Sequence, residues 1–486
     1  MRKIFSGTKA LVVILGVHGG GVANAKWLLR HGAKVMVTDM RTKTELAQSL
    51  ARFTAAERGA IQFVLGGQRE EDFRRNDLIL LGPGVQKHNP WRNLALNLGK
   101  RVENDASLFF RYALRPSIAV TGTRGKTTTT RWIAELLSKR YPDVRVSGNT
   151  PENPLLREID RRATRETPHV VECSSWQLEL APRAERSARV AVITNLYRDH
   201  LNTYDSMEDY ADAKANIFAC QGENDTIILN YQNDWTRYFL RKRPRSRVRF
   251  FSIRPLPKTK EGMFVRGGYA YIREGKDERR VVRIARFAER FGEHNVANVL
   301  AAMLAVRAFD PTWRFMEKEI LALRPPKMRQ EILYDSRKLR IVNDSTATSP
   351  DGVIAALKRF SRDSRVLLIA GGTDKALEFT HLAREIRSSI PPKHLILLAG
   401  TATKKILAEL KKLRYEAPEP KESLEKCVEE AFACAKNGRG KSTILFSPGA
   451  ASFGMFLHEF DRGERFAFFA RRALRASARR GGKRPR

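Results

Sequence analysis

Short apolar runs alternate with amphipathic stretches along most of the chain. Several of these runs end in a glycine turn, as "ALVVIL" does before "GVHGGG" and "SIAVTG" does before "TRGKTTTT". A strand that is apolar throughout is buried on both faces, and parallel strands need a crossover helix between them. The alternation therefore predicts an α/β fold in which helices cover the faces of parallel sheets.

Three blocks of this alternation can be separated within the 486 residues, a length typical of two to four domains. We predict a Rossmann-like domain over residues 1–112, a P-loop-type central domain with a parallel or mixed sheet over 113–323, and a second Rossmann-like domain over 324–486. "LRPPKMRQEI" has the double proline of a linker before the third block, and a basic stretch at about 236–290 is typical of β-hairpins.

The chain is strongly basic, with 89 Lys and Arg against 53 Asp and Glu and a net charge of +36. Nucleic-acid binding has to be considered on this ground. However, the charge is spread along the chain, and no zinc finger or RNP-type aromatic pattern accompanies it. A basic proteome, or a surface that attracts acidic substrates and membranes, is the simpler interpretation.

The cysteines and the hydropathy pattern indicate the compartment. Cys173, Cys220, Cys427 and Cys434 form no CxxC pair, which favours a reducing compartment and no structural zinc. No run has the length and flanks of a signal peptide or of a membrane span. We therefore expect a soluble, cytoplasmic protein.

The stretch "AVTGTRGKTTTTRWIAELL", Ala119–Leu137, joins a strand to a helix through a glycine turn. Such a turn presents backbone N–H groups and a helix N-terminus to an anion. Lys126 would reach the β- and γ-phosphates of a nucleotide, and the Thr127 hydroxyl would bind Mg²⁺. Val120 occupies the first glycine position of the Walker pattern, but the strand–turn–helix context still predicts a nucleotide site. The predicted nucleotide contacts in this loop are Gly122, Thr123, Arg124, Gly125, Lys126, Thr127 and Thr128.

Two later strands end in residues suited to a metal site. "HVVECSSWQLE" places Glu172 where a strand ends, so its carboxylate could hold Mg²⁺ beside the phosphates; a surface glutamate at a strand edge is the alternative. "TNLYRDH" places Asp199 and His200 after another strand, with Lys214 fourteen residues on. A lone histidine is more often structural than a ligand, but this one lies on the rim where α/β sheets bind ligands.

The first block carries an imperfect dinucleotide fingerprint. "GVHGGGVANA" is followed by Asp39, but His18 occupies the middle glycine position. A diphosphate on the N-terminus of the following helix is predicted. Binding of NAD does not follow from so incomplete a pattern.

Taken together, the motifs resemble those of a known family. "GTRGKTTTT", "ECSSWQLE", "TNLYRDHLN", "YADAKANIF", "HNVANVLAA", "NDSTATSPDGVIAAL" and "SPGAASFGMFLHEFDRG" occur in the order and spacing of the Mur ligases. The resemblance spans nearly the whole chain and is strongest to the members that add D-glutamate. It implies a monomeric, three-domain, ATP-dependent amide ligase of cytoplasmic peptidoglycan synthesis. The implied substrates are UDP-N-acetylmuramoyl-L-alanine and D-glutamate, with ATP and two Mg²⁺ ions, and no specific nucleic-acid partner is expected.

The resemblance also implies roles for individual residues. Lys126, His200 and Lys214 match catalytic positions, and Lys214 matches a lysine that the family carbamylates, which would turn a cation into a metal ligand. The implied metal ligands are Thr127, Glu172, His200 and carbamylated Lys214. The implied UDP contacts are Gly19, Gly20, Gly21, Asp39, Arg41, Gly84 and Asn149. The further ATP contacts are Asn295, Asn298, Arg329 and Asp344, and the D-glutamate contacts are Thr348, Lys375, Ser452 and Phe453.

Two residues depart from the family's pattern, and two alternative functions remain open. Thr346 stands where many relatives carry lysine, and Glu459 stands where an aromatic residue is common. A related amide ligase with another acceptor, such as a folylpolyglutamate synthase-like enzyme, is one alternative, against which the UDP-type first block argues. A basic P-loop protein that binds nucleic acid is the alternative from a different class.

Overall fold

The computed structural model describes residues 3–17, 19–82, 84–148, 153–160, 166–437 and 440–481. Its contacts divide the chain into two compact units, Met1–Ala288 with Asn295–Leu323, and Glu289–His294 with Arg324–Arg486. The first unit holds two sheets and the second unit holds one. Within the described residues, no helix combines the length and apolar character needed to cross a membrane.

The first sheet has five parallel strands in the order β3-β2-β1-β4-β5. The strands are β1 (Lys9–Val13), β2 (Lys34–Asp39), β3 (Ile61–Leu65), β4 (Leu78–Leu81) and β5 (Arg101–Asn104). The helices are α1 (Gly20–Arg30), α2 (Ala47–Leu50), α3 (Ala55–Ala60), α4 (Glu70–Arg74), α5 (Pro90–Asn97) and α6 (Asp105–Tyr112). This is the Rossmann strand order without a sixth strand, and the order reverses between β1 and β4, where such sheets bind ligands.

The second sheet has nine strands in the order β14-β13-β12-β11-β10-β9-β6-β8-β7. The strands are β6 (Ser117–Thr121), β7 (Arg145–Gly148), β8 (His169–Glu172), β9 (Val190–Ile193), β10 (Thr226–Asn230), β11 (Arg247–Ser252), β12 (Gly262–Arg266), β13 (Tyr269–Glu274) and β14 (Asp277–Arg283). The helices are α7 (Lys126–Leu137), α8 (Leu155–Ile159), α9 (Ser175–Leu178), α10 (Met207–Ala215), α11 (Thr236–Arg241), α12 (Ala285–Phe291), α13 (Glu293–Phe309) and α14 (Glu317–Ala322). Strands β6 to β12 are parallel, and β12, β13 and β14 form an antiparallel meander.

The hairpin prediction for about 236–290 is correct only for part of that stretch. Strands β12 to β14 are hairpin-connected, but the stretch opens with helix α11 and with β11, which extends the parallel part of the sheet. The arginines of this segment obscure the apolar periodicity on which a helix prediction depends.

The third sheet has five strands in the order β15-β16-β19-β17-β18. The strands are β15 (Glu331–Asp335), β16 (Leu339–Asn343), β17 (Arg365–Gly371), β18 (Leu395–Leu398) and β19 (Ser442–Phe446), and the helices are α15 (Pro350–Phe360), α16 (Thr380–Ser389), α17 (Thr401–Lys412), α18 (Leu424–Lys436) and α19 (Glu459–Gly481). All pairs are parallel except β15 with β16. The linker prediction extends too far, because Glu331 and Ile332 already belong to β15.

The parallel architecture is confirmed, and its physical reason lies in the burial of the apolar runs. Every residue of β6, β8, β9 and β19 is buried, as expected for strands with helices on both faces of the sheet. The polar residues of these four strands consequently lie at or next to the strand ends.

Arg462, in the first turns of α19, is fully buried and fastens two of these loops. Its guanidinium donates to the carbonyl oxygen of Ser345 at 2.7 Å and to those of Ala450 and Ala451 at 3.0 and 3.1 Å. Nε donates to the Ser345 hydroxyl at 3.2 Å. Burial lowers the pKa of Arg462 to about 10, so the side chain remains charged at neutral pH. It holds the loops after β16 and β19 together.

Replacing Arg462 with Met should destabilise the second unit by at least about 3 kcal/mol, because the buried carbonyls of Ser345 and Ala450 lose their donors and that of Ala451 keeps only the N–H of Thr373. Urea unfolding monitored by circular dichroism measures the change. Arg471→Met, at an exposed position of the same helix, is the matched control and should leave the midpoint in place. An Arg462→Met midpoint equal to that of the control would contradict the fastening role.

Candidate active site

The loop between β6 and α7 has the geometry of a phosphate loop. Gly125 caps α7 with φ of 81°, so the first N–H groups of the helix follow a left-handed residue. A Cβ on Gly125 would also lie 2.2 Å from Oδ1 of Asn298. Both the backbone angle and this close approach require glycine at position 125.

Residues that follow β9 hold this loop in shape. The Asn195 side chain accepts from the N–H of Arg124 at 2.8 Å and donates to its carbonyl at 3.1 Å. The hydroxyl of Thr194 donates to the same carbonyl at 2.6 Å, and the carbonyl of Asn195 accepts from the N–H of Thr123 at 3.0 Å. Sequence reasoning missed Thr194 and Asn195, although "TN" directly after an apolar strand marks the position. The loop is therefore shaped by its neighbouring strand before any ligand is considered.

Two lysines converge on one carbonyl oxygen of the loop. Nζ of Lys126 donates to the carbonyl of Gly122 at 2.9 Å and to that of Thr123 at 3.1 Å. Nζ of Lys214, from α10, donates to the same Gly122 carbonyl at 3.1 Å and lies 4.5 Å from the ring centroid of Tyr210. The structure thus brings together two residues that are 88 positions apart in the sequence.

The environment of Lys214 opposes a positive charge. Lys214 is only 1% exposed. Burial, reinforced by the positive charge of Lys126, lowers the pKa of the Lys214 ammonium well below its usual value. At this position a neutral amine or an anionic derivative is more stable than an ammonium.

Glu172 lies at the end of β8, which pairs with β6 on the side opposite β9. It is 4% exposed and ends β8, in register with Val120 of β6. Its Oε2 atom is buried and has no hydrogen-bond partner among the residues that the structure describes. A buried carboxylate oxygen without a donor is suited to a cation.

Asp199 connects the loop to His200. Its Oδ2 atom accepts from Nη1 of Arg124 at 2.8 Å, and its Oδ1 atom accepts from the N–H of His200 at 2.9 Å. Asp199 is buried, whereas the His200 side chain is 51% exposed and its φ is 59°. The carboxylate therefore fixes both the loop arginine and the strained backbone that carries the histidine.

The asparagines of α13 complete this side of the loop. Asn295 and Asn298 are buried, and Nδ2 of Asn298 donates to Oδ1 of Asn295 at 3.2 Å. The proximity of Asn298 to Gly125 places this pair beside the phosphate loop. Both asparagines lie inside α13, which begins at Glu293.

The predicted UDP contacts gather at the switch point of the first sheet. Gly19 precedes α1 with φ of 91°, and a Cβ on Gly84 would lie 3.0 Å from Cδ1 of Ile14 in the loop after β1. Asp39 is buried and accepts from the N–H groups of Gly16 and Arg41, both at 3.0 Å. Gly20 and Gly21 open α1, and the Arg41 side chain is exposed. His18 and Asn149 lie outside the described residues.

The predicted D-glutamate contacts share one edge of the third sheet. Thr348 follows β16, Lys375 follows β17, and Ser452 and Phe453 follow β19. The backbones of Thr373 and Ala451 pair, and the N–H of Gly449 donates to the carbonyl of Ala347. These bonds bring the three loops together, with Ser452 buried and Phe453 exposed.

Arg329 and Asp344 lie near this edge in the second unit. Oδ2 of Asp344 accepts from the Ser447 hydroxyl at 2.7 Å, and Oδ1 accepts from the N–H of Gln330 at 3.0 Å. Burial raises the pKa of Asp344 to about 7, against the opposing effect of Arg329. The Thr346 hydroxyl donates to the Met328 carbonyl at 2.7 Å, so the residue that replaces the expected lysine has a fastening role here.

Amino-acid anions and imidazoles alone form no metal centre in the part of the chain that the structure describes. Among the described residues, no three His, Cys, Asp or Glu side chains are grouped closely enough to hold a metal ion. The predicted set of Thr127, Glu172, His200 and Lys214 does not depend on such a group, since a hydroxyl and a modified lysine belong to it.

Two family models match the chain. The Mur ligase middle domain matches residues 120–306, and the Mur ligase MurD-like N-terminal domain matches residues 10–103. These ranges contain the phosphate loop and the switch point of the first sheet, respectively.

Curated relatives match over nearly the full length. The UDP-N-acetylmuramoylalanine--D-glutamate ligase of Roseiflexus sp. strain RS-1 is 35% identical over 467 residues, which is 95% of this chain and 98% of the relative. The enzyme of the same name from Borreliella afzelii is 32% identical, covering 94% of this chain and 96% of the relative.

Solved structures share the fold at low identity. The MurF ligase from Thermotoga maritima in complex with ADP has a TM-score of 0.57 at 14% identity, covering 98% of this chain and 97% of that chain. A pseudomurein peptide ligase type C from Methanothermus fervidus has a TM-score of 0.54 at 19% identity, covering 97% and 100%. The full-length relatives establish what the motifs predicted: the chain belongs to the Mur ligase family.

Proposed function

We propose that this protein is an ATP-dependent amide ligase that adds D-glutamate to UDP-N-acetylmuramoyl-L-alanine, with ADP and phosphate as products. The observation that carries the ligase chemistry is the convergence of Lys126 and Lys214 on the Gly122 carbonyl of the phosphate loop, beside the buried Glu172. The full-length similarity to ligases named for D-glutamate supports the choice of substrates. The reaction is a cytoplasmic step of peptidoglycan synthesis, and the enzyme acts as a monomer.

A carboxylate must be activated before an amine can attack it. In the proposed reaction, the terminal L-alanine carboxylate takes the γ-phosphoryl group of ATP and becomes an acyl phosphate. The amine of D-glutamate then attacks the acyl carbon, and phosphate leaves from the tetrahedral intermediate. Both steps place negative charge on oxygens, which the Lys126 ammonium, the loop N–H groups and the N-terminus of α7 would stabilise.

The loop and its neighbours would bind the nucleotide. Arg124 is held by Asp199 through Nη1, whereas its Nε and Nη2 atoms have no hydrogen-bond partner among the described residues. Asn298 approaches the loop at Gly125 and donates to Asn295. In the second unit, Arg329 and Asp344 are the proposed further ATP contacts.

The residues present fit Mg²⁺, which takes oxygen ligands. The buried Oε2 atom of Glu172 is an anionic oxygen without a donor, and the Thr127 hydroxyl lies in the first turn of α7. Glu172 and Thr127 would hold one ion and His200 a second, with carbamylated Lys214 as a further ligand. The ions would neutralise charge on the phosphates.

Lys214 fits a carbamate better than an ammonium. Its amine is buried beside the positive charge of Lys126, so an ammonium is disfavoured there. Addition of CO₂ to the neutral amine forms a carbamate and releases one proton. The product is an anion that would pair with Lys126 and supply oxygen ligands.

The UDP group is assigned to the first sheet and D-glutamate to the third. The switch point of the first sheet would hold the UDP group, with Gly19, Gly20, Gly21 and the α1 N-terminus at the diphosphate. The loops with Thr348, Lys375, Ser452 and Phe453 would hold D-glutamate, for which Lys375 offers a cation to one carboxylate. This division follows the proposed domains 1–112, 113–323 and 324–486.

Phosphate release tests the proposal directly. With ATP, Mg²⁺ and UDP-N-acetylmuramoyl-L-alanine, release should require D-glutamate and should not occur with L-glutamate, L-lysine or diaminopimelate. Lys126→Ala should abolish release while calorimetric binding of the UDP substrate remains. Turnover with an L-amino acid but not with D-glutamate would contradict the substrate assignment, and salt-sensitive RNA binding without any turnover would contradict the enzyme assignment.

Lys214→Ala should lower kcat by at least about a hundredfold, because an oxygen ligand and a charge partner of Lys126 are both lost. Bicarbonate should not restore activity, since the amine that would react is absent. Acetate or propionate, which fit the space left by the side chain, should restore part of it. Restoration by propylamine instead of by the carboxylates would contradict the carbamate.

Asp199→Asn should reduce kcat/KM for ATP by about tenfold to a hundredfold, because the amide cannot accept from both Arg124 and the N–H of His200. The KM for the UDP substrate should change little. Asp212→Asn is the matched control, since that carboxylate pairs with Lys242 at the exposed surface of α10. Equal effects in both variants would show that Asp199 has no specific link to the nucleotide.

A further inference from the structure

The outer face of α19 presents an exposed aromatic residue among arginines. Phe468 is 61% exposed, and Arg471 and Arg475 are also exposed. Spacings of three and four residues place all three on one face of the helix. We call these three residues the outer face of α19.

The opposite side of α19 already supplies the packing that the fold requires. Phe466 and Ala470 are buried in the core of the third sheet, and the ring of Phe466 stacks on that of Phe446 with centroids 4.6 Å apart. Phe468 has no part in this core. The packing of the helix therefore does not require the Phe468 ring.

The charge of the outer face is not balanced locally. Arg465 pairs with Asp461, and Arg472 pairs with Glu425. Arg471 and Arg475, by contrast, make no ion pair with any residue that the structure describes. In the sequence, eight arginines and one lysine lie between Arg465 and Arg486, with no acidic residue among them. Attraction to an anionic surface is the expected consequence.

The other basic region of the chain differs in this respect. On the β11–β14 sheet edge, Arg249 and Arg279 pair with Glu274, and Arg266 and Arg273 pair with Glu278. Much of the positive charge there is used within the protein. On α19, by contrast, two arginines without an ion pair in the described part of the chain lie next to the exposed Phe468 side chain.

We propose that the outer face of α19 docks on an anionic phospholipid surface. Such a surface engages both kinds of side chain: arginines with phosphate headgroups, and an aromatic ring in the interface between headgroups and acyl chains. A nucleic-acid duplex would engage the arginines through its phosphates and leave Phe468 without a partner. A single strand would stack a base on the ring, so single-stranded RNA is the competing ligand in the test. The inference is independent of the ligase reaction and of its active-site residues.

Vesicle co-sedimentation of the full chain tests the docking. Vesicles of equal parts phosphatidylglycerol and phosphatidylcholine should bind the protein, and vesicles of phosphatidylcholine alone should not. Added salt should weaken the binding. Arg471→Glu with Arg475→Glu should reduce vesicle affinity by about tenfold or more, because two attractive charges become repulsive. Phe468→Ser should reduce it severalfold and should make the remaining binding more sensitive to salt.

A matched double variant separates local docking from net charge. Arg254→Glu with Arg283→Glu makes the same change in charge at two exposed positions of the first unit, and neither side chain is in an ion pair within the described residues. This variant should retain nearly all vesicle affinity. Equal losses in the two double variants would overturn the assignment to α19.

Two further outcomes would contradict the lipid partner. If the Phe468→Ser variant binds vesicles as tightly as the wild type at every salt concentration, insertion of the ring is excluded. Tight binding of a single-stranded RNA with no binding to anionic vesicles would assign the face to nucleic acid. Retained phosphate release and retained thermal midpoints in all variants show that each protein is folded.

Discussion

Strand β6 pairs with β8 on one side and with β9 on the other, and the chemistry of the site depends on this pairing. The phosphate loop follows β6, Glu172 ends β8, and the residues that brace the loop follow β9. Because the strands are parallel, their carboxyl ends share one edge. Three segments that are distant in sequence therefore form one site without long loops to connect them.

Two lysines share one carbonyl oxygen in the loop that follows β6. A cation is held in a buried position only where oxygen acceptors or anions offset its desolvation. The Gly122 carbonyl accepts from both Lys126 and Lys214. The positive charge of Lys126 at this point suits ligands that carry negative charge, such as nucleotide phosphates and a carbamate on Lys214.

The sequence predicted the fold class, the phosphate loop and the strand-end position of Glu172, because these depend on local apolar runs and on glycine turns. It could not predict that Thr194 and Asn195 brace the loop or that Arg462 fastens two others, because such bonds join residues through tertiary structure. Helix α11 and strand β15 were missed for a related reason: charged residues interrupt the apolar periodicity that marks such elements. Side chains that act on distant backbone atoms have no periodic signature in the sequence.

The two neighbours of Arg329 in the chain, Met328 and Gln330, are held by hydrogen bonds. The carbonyl of Met328 accepts from the Thr346 hydroxyl, and the N–H of Gln330 donates to Asp344. Met328 and Gln330 adopt positive φ values of 60° and 50°, so this segment is ordered at a conformational cost that folding has already met. Any ligand that engages Arg329 meets a preorganised backbone, and little further chain entropy is lost when it binds.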